Sequence, residues 1–278
     1  MESNYLYIDE VRTGASMFYF AKGDNVKSAA EDFSHQVSQS FEKKRKNNKK
    51  LAIDKIMLDG FKSLESRDFK IENGEKIMEH ARSIKSAEEI KAMRCSISAC
   101  ETSIHVMEKE TKPGMTENDI WSILHSENIK RGGEWIETRL LSSGTKTNPW
   151  FQECGSRILQ NNEIVAFDTD LVGCYSMCTD ISRTWWIGDQ EPTKEMKQDY
   201  QIALEHIQKN AELVAPGVPF KDLTFKGHQL DDLYKKQQYS CRFHGVGLCD
   251  EFPLITYPED YEELSLIHIS EPTRPSVI

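Results

Sequence analysis

Residues 167–180 read FDTDLVGCYSMCTD. On an extended strand Asp168 and Asp170, two apart, point to the same face. Asp180 follows Asp170 by ten positions and is within reach across a hairpin turning near Gly173. Three carboxylates converging on one face repel one another unless a cation lies between them. A DTD string by itself is more often a turn or cap device. The preceding IVAF run (164–167) reads as buried strand, however, and unpaired carboxylates there would be costly.

Working outward, RLLSSG (139–144), EIVAFDTDLVG (163–173) and ISRTWWIG (181–188) show the period of two expected of strands. Upstream, SAEE (86–89) is a capping box with Ser86 as N-cap, followed by Ile90, Met93, Ile97, Ile104 and Met107 at helical spacing. Pro113-Gly114 breaks that helix, and Thr116 is expected to cap a second through Ile120, Leu124 and Ile129. Downstream, a helix over roughly 194–213 stops at Pro216-Gly217, and Phe220 to Lys235 suggests another. These elements predict an α+β fold with helices covering one sheet face. Nearer the start, Phe18-Tyr19-Phe20 reads as a short strand, 27–49 as a helix ending in the basic EKKRKNNKK cluster, and LAIDKIML (51–58) as a strand.

The chain has 278 residues, with Lys+Arg 35 against Asp+Glu 45 and a net charge of −10. That balance argues against a nucleic-acid binder, which needs clustered positive charge. No apolar run approaches the ~18–20 residues of a membrane helix. The start, MESNYLYIDEVRTG, carries no signal-peptide pattern. Seven cysteines without a CxxC pair favour reduced thiols in a cytoplasm over a disulfide framework.

His244, in CRFHGVGLCDEFP (241–253), supplies the imidazole that such an acidic cluster lacks. Oxygen-rich sites joined by one imidazole suit Mn, Fe(II), Co or Zn. Arg183 in DISRTW reads as a charge partner of the cluster.

RSIKSAEEIKAMR, KPGMTENDI, SSGTKTNPW, the DTD…TDISRTW hairpin and HGVGLCDEFP, covering 82–253 in order, resemble the pita-bread metalloenzymes: methionine aminopeptidase, Xaa-Pro aminopeptidase and creatinase. The resemblance implies a pita-bread fold, a curved antiparallel sheet covered by helices, holding two divalent metal ions on two Asp, one His and two Glu. Asp170 (or Asp168), Asp180 and His244 fall on those positions, and the two glutamates are expected further towards the carboxyl terminus. It also implies a homodimer and a small-molecule substrate, with neither nucleic acid nor membrane as partner.

The departures matter as much. The peptidases carry a second His seven residues after the first, where this chain has Cys249-Asp250-Glu251, and a pocket His where it has Asn148-Pro149-Trp150-Phe151-Gln152. These differences are similar to the dimethylsulfoniopropionate lyase branch in its TNPWFQECG string (147–155), its D-x-D pair and its HGVGxCDE string. That resemblance implies Asp168, Asp170, Asp180 and His244 as metal ligands, iron as the favoured metal with Mn, Co or Zn as alternatives, and Asp250 as general base. Trp150, Phe151 and Tyr239 are candidates for the sulfonium, since aromatic faces attract soft cations. A Xaa-Pro-type metallopeptidase and a non-catalytic interaction protein are the alternatives, because fold does not fix function.

The domain expectation is a partial creatinase-like amino-terminal domain and linker over 1–84 and a pita-bread domain over 85–263. Residues 264–278, LSLIHISEPTRPSVI, have no period or cap and resemble translated sequencing adapter. The natural protein is therefore expected to continue beyond residue 263, with the two glutamates lying there.

Overall fold

The structure, a computed structural model, describes residues 10–44 and 48–261. The adapter-like tail and the middle of the basic cluster lie outside the described residues. The chain divides into two compact units, one running to residue 81 and the other from residue 82.

In the first unit come α1 (Tyr19–Lys22), α2 (Val26–Lys44), β1 (Lys50–Ile53), α3 (Leu58–Glu65) and β2 (Lys70–Asn73), with α4 (Glu75–Ser83) reaching its end. β1 and β2 pair in parallel, Lys50 opposite Lys70. Two sequence expectations are corrected here. Phe18-Tyr19-Phe20 is no strand: the Phe18 carbonyl accepts from Ala21 (3.0 Å) and Lys22 (3.1 Å) and opens α1, its aromatic rings exposed. The strand read over 51–58 is confined to β1, because β2 offers only four residues to pair with, and Met57 then caps α3.

The second unit opens with α5 (Ala87–Glu110) and α6 (Glu117–Lys130), each begun by a complete capping box, Ser86 with Glu89 and Thr116 with Asp119. Strands β3 (Trp135–Ile136), β4 (Leu141–Ser143), β5 (Glu163–Phe167), β6 (Asp170–Val172), β7 (Cys178–Asp180) and β8 (Arg183–Ile187) follow. Then come α7 (Lys194–Ala211), α8 (Phe220–Lys226), α9 (Asp232–Lys235), β9 (Phe243–Val246) and β10 (Asp250–Ile255). The strands form a β4-β5-β8 sheet, a β3-β6-β7 sheet and a β9-β10 ribbon, all antiparallel. No helix among the described residues is long and apolar enough to cross a membrane.

Cys100, Ile104 and Met107 of α5 and Ile120, Trp121 and Leu124 of α6 pack with Leu141, Val165, Phe167, Leu171 and Ile187 of the sheets. Each such Leu or Ile removed from water stabilises the fold by roughly 1.5–3 kcal/mol. The apolar stripes extend less far than their spacing suggests. Ile90, Met93 and Ile97 are half-buried, and Ile129 is 57% exposed near the end of α6. The helix expected from Phe220 to Lys235 is two short ones, interrupted between Gly227 and Asp231, where the backbone is extended.

Candidate metal centre and active site

β5, buried at Val165, Ala166 and Phe167, delivers the chain to Asp168, and there the chain changes sheet. β5 ends at Phe167 and β6 begins at Asp170 in the other sheet, so Asp168 and Asp170 do not alternate along one strand. This corrects the same-strand reading. Buried Thr169 makes the crossing: its hydroxyl donates to the Thr179 carbonyl (3.0 Å) and accepts from the Ile181 amide (3.1 Å). The Asp168 carboxylate accepts from the Ser182 hydroxyl (2.6 Å) and the Thr169 amide (3.1 Å).

The β6–β7 hairpin follows the sequence expectation, with Asp170 opposite Asp180 in its ladder. Its placement is set from α5: the buried Ser96 hydroxyl donates to the Met177 carbonyl (2.8 Å) and meets the Thr179 hydroxyl at 2.8 Å. Gly173 must be glycine, since a Cβ there would overlap the Ser96 hydroxyl.

The β9–β10 ribbon brings the imidazole. Cys178 N–H donates to the Gly247 carbonyl (2.7 Å), tying the ribbon's turn to β7. His244 Nε2 lies 3.1 Å from Asp180 Oδ2, and its Nδ1 lies 3.0 Å from the Gly245 carbonyl and 3.7 Å from Asp250 Oδ1. Asp180, His244 and Asp250 thus offer three donor atoms within 4.8 Å of one another.

The electrostatics record the crowding. Burial, then the Asp180 charge, push Asp168 up to about 7. The same two causes raise Asp170, and burial raises Asp250 against the lowering effect of His244. The hydrogen bond to Asp180 raises His244 to about 9, against its own desolvation. A like-charged cluster holding one imidazole is the donor chemistry that a divalent transition metal relieves, and the residues fit such an ion.

The aromatic candidates gather beside it. Phe151 stacks on Tyr239, ring centroids 5.5 Å apart, and Trp150 lies 6.3 Å from Phe151. Burial raises the Tyr239 hydroxyl to about 12, with Cys241, Asp168, Asp180 and Asp250 adding to the shift, so the phenol feels the acidic cluster. Arg183, expected to pair with that cluster, is exposed and donates to the Ser182 carbonyl (2.8 Å) instead.

Three contributors were not singled out in the sequence. Thr169 and Ser182 flank the aspartates, and a hydroxyl residue beside a buried carboxylate was the available signal. Glu251 is buried under the ribbon's turn, where it accepts from the Leu248 amide (3.0 Å), pairs with Lys85 and lies 3.6 Å from Arg82 Nε. A Cβ on Gly247 would come within 2.6 Å of its carboxylate oxygens, so the turn is built around this side chain.

Residues 91–269 match metallopeptidase family M24. The chain belongs to family M24. Two curated proteins called dimethylsulfoniopropionate lyase DddP are similar to it over 257 residues: that of Roseovarius nubinhibens at 52% identity and that of Roseobacter denitrificans at 51%. Each alignment takes in 91% of this chain and 58% of the relative, so the chain spans a little over half the length of these M24 relatives. Among solved structures, the X-Pro aminopeptidase of Thermotoga maritima superposes with a TM-score of 0.67 at 22% identity, over 82% of this chain and 65% of that one. The prolidase of Pyrococcus furiosus gives 0.65 at 20%, over 74% and 62%. The M24 fold, the pita bread, is therefore the fold of this chain, as its motifs implied.

Proposed function

We propose that this M24 protein is a metal-dependent lyase that cleaves dimethylsulfoniopropionate to dimethyl sulfide and acrylate. The observation that carries the reading is Asp250, a carboxylate 3.7 Å from His244 at the edge of the acidic cluster, one residue before the position at which the family's peptidases have an imidazole and this chain has Glu251. Burial raises its proton affinity and so makes it a better base. The similarity to two lyases over 91% of the chain supports the same substrate.

In this mechanism Asp168, Asp170, Asp180 and His244 would be the chain's own ligands for two divalent ions, iron being favoured and Mn, Co or Zn accommodated. Bound there, such ions would supply Lewis acidity to the substrate carboxylate, making the neighbouring C–H bond more acidic. Asp250 removes that proton, the C–H electron pair becomes the new C=C bond, and the C–S bond breaks with its pair leaving on dimethyl sulfide. The proton stays on Asp250 until water takes it. Trp150, Phe151 and Tyr239 hold the sulfonium by their ring faces. No water is activated, so the missing peptidase imidazoles are not needed.

Seven free thiols support a reducing cytoplasm, and the family resemblance a homodimer, with residues 1–84 as a creatinase-like amino-terminal part. The M24 match and the Xaa-Pro neighbours favour a second reading, a peptidase acting on Xaa-Pro bonds.

The test is to load the full gene product carrying this sequence with Fe(II), Mn, Co or Zn and supply dimethylsulfoniopropionate, reading dimethyl sulfide in the headspace. Metal-dependent release supports the lyase. Hydrolysis of a proline-containing dipeptide without dimethyl sulfide overturns it in favour of the peptidase.

A further inference from the structure

Glu117 is the first residue of α6, fully buried, and takes no part in the acidic cluster. A buried carboxylate needs several donors to offset its lost hydration. It finds four, all on the segment from 143 to 155. One oxygen accepts from the Ser143 amide (2.9 Å) and hydroxyl (2.8 Å), the other from Lys146 Nζ (2.6 Å) and the Gly155 amide (3.1 Å). Ser143 ends β4 and Gly155 ends the loop, so one side chain closes the loop at both ends. Lys146 tightens it further by donating to the Glu153 carbonyl (2.6 Å).

That loop carries Trp150 and Phe151. Phe151 sits at φ +69°, a conformation that costs a bulky side chain free energy, and it is 53% exposed. Stacking one exposed ring on another, Tyr239 at 44% exposure, does not by itself enforce such a backbone. A loop locked at its base does. From these contacts we infer that Glu117, with Lys146, is a positioning residue for an onium-cation subsite formed by Trp150, Phe151 and Tyr239, and so sets which cationic substrate this chain accepts. The sulfonium identity of that cation rests on the lyase reading above; the aromatic subsite itself does not.

Glu117→Gln keeps the shape but turns a donor towards Lys146 and Gly155. Lys146→Met removes the loop-side charge, and Lys146→Arg restores a cationic donor. In the metal-loaded full gene product, Glu117→Gln and Lys146→Met should raise KM for dimethylsulfoniopropionate tenfold or more. kcat should stay within twofold and metal content unchanged, with Lys146→Arg close to the parent. If Glu117→Gln does not fold, Lys146→Met decides. An unmoved KM, or kcat and metal content falling together, overturns the positioning role. A calorimetric titration with tetramethylammonium separates this from the lyase reading. A parent that binds the probe without releasing dimethyl sulfide, while both variants bind it tenfold more weakly, keeps the subsite and removes the lyase. A parent that ignores the probe overturns the subsite.

Discussion

Asp170 and Asp180 face one another as directly paired residues in the β6–β7 ladder, two carboxylates where cross-strand partners ordinarily attract or are neutral. Ladder hydrogen bonds, the Ser96 pin and the Thr169 crossing hold them there against their repulsion. Their mutual repulsion, with no cation bound, is a measurable quantity.

The metal-free protein should therefore lose stability as pH rises. Asp168, raised to about 7, favours the fold while protonated; that contribution is whole below its unfolded value near 4 and is lost as pH climbs through 7. His244, raised to about 9, acts in the same direction, its contribution whole below about 6.5 and lost through 9. Thermal unfolding without metal should show Tm falling from pH 5 to 9, and saturating metal should flatten or reverse the slope. A Tm that rises with pH under chelation would contradict the cluster.

Asp250→Ala in the full gene product should lower lyase turnover at least ~10²-fold, the scale of a lost general base, while metal content by atomic emission stays at the parent level. Loss of metal along with turnover would make Asp250 a ligand, which its place within 4.8 Å of Asp180 and His244 also allows.

Removing the Glu251 carboxylate should be severe, since it leaves Lys85 without its partner beneath the ribbon's turn. Glu251→Ala is expected to cost about 3–5 kcal/mol in urea unfolding, the scale for breaking a buried ion pair from one side. Repair is expected in part from Lys85→Met on the Glu251→Ala background, because the stranded charge is then gone. An additive double variant would show that the pair is not coupled.

Thr169→Val keeps shape and removes one hydroxyl. The Ile181 amide and Thr179 carbonyl then lose their shared partner, at about 1–3 kcal/mol for unsatisfied buried groups. Denaturant unfolding reads the loss, and metal affinity should weaken with it because Asp168 and Asp180 no longer share a fixed crossing. Unchanged metal affinity in a destabilised protein would limit Thr169 to the fold.

What the chain disclosed in advance follows the range of each force. Caps are local, and Ser86 with Glu89 and Thr116 with its helix were readable because three residues settle them. The β6–β7 hairpin was readable because a carboxylate pair and a glycine bracket one turn. The sheet switch at Asp168-Thr169 was not, since EIVAFDTDLVG has the pattern of a single strand and only the partner strands decide where one sheet ends. Glu117 and Glu251 share that opacity: a charged residue in sequence looks solvated, and its burial depends on segments 26 to 166 positions away.

The acidic pair and the imidazole arrive on separate pieces of backbone, Asp170 and Asp180 on a hairpin anchored to α5 and His244 with Asp250 on a two-stranded ribbon whose turn is tied to β7. The two pieces must meet in register for the acidic pair and the imidazole to share one ion, so a change at the Gly247 turn, whose carbonyl takes the Cys178 amide, shifts the imidazole relative to the carboxylates without touching either.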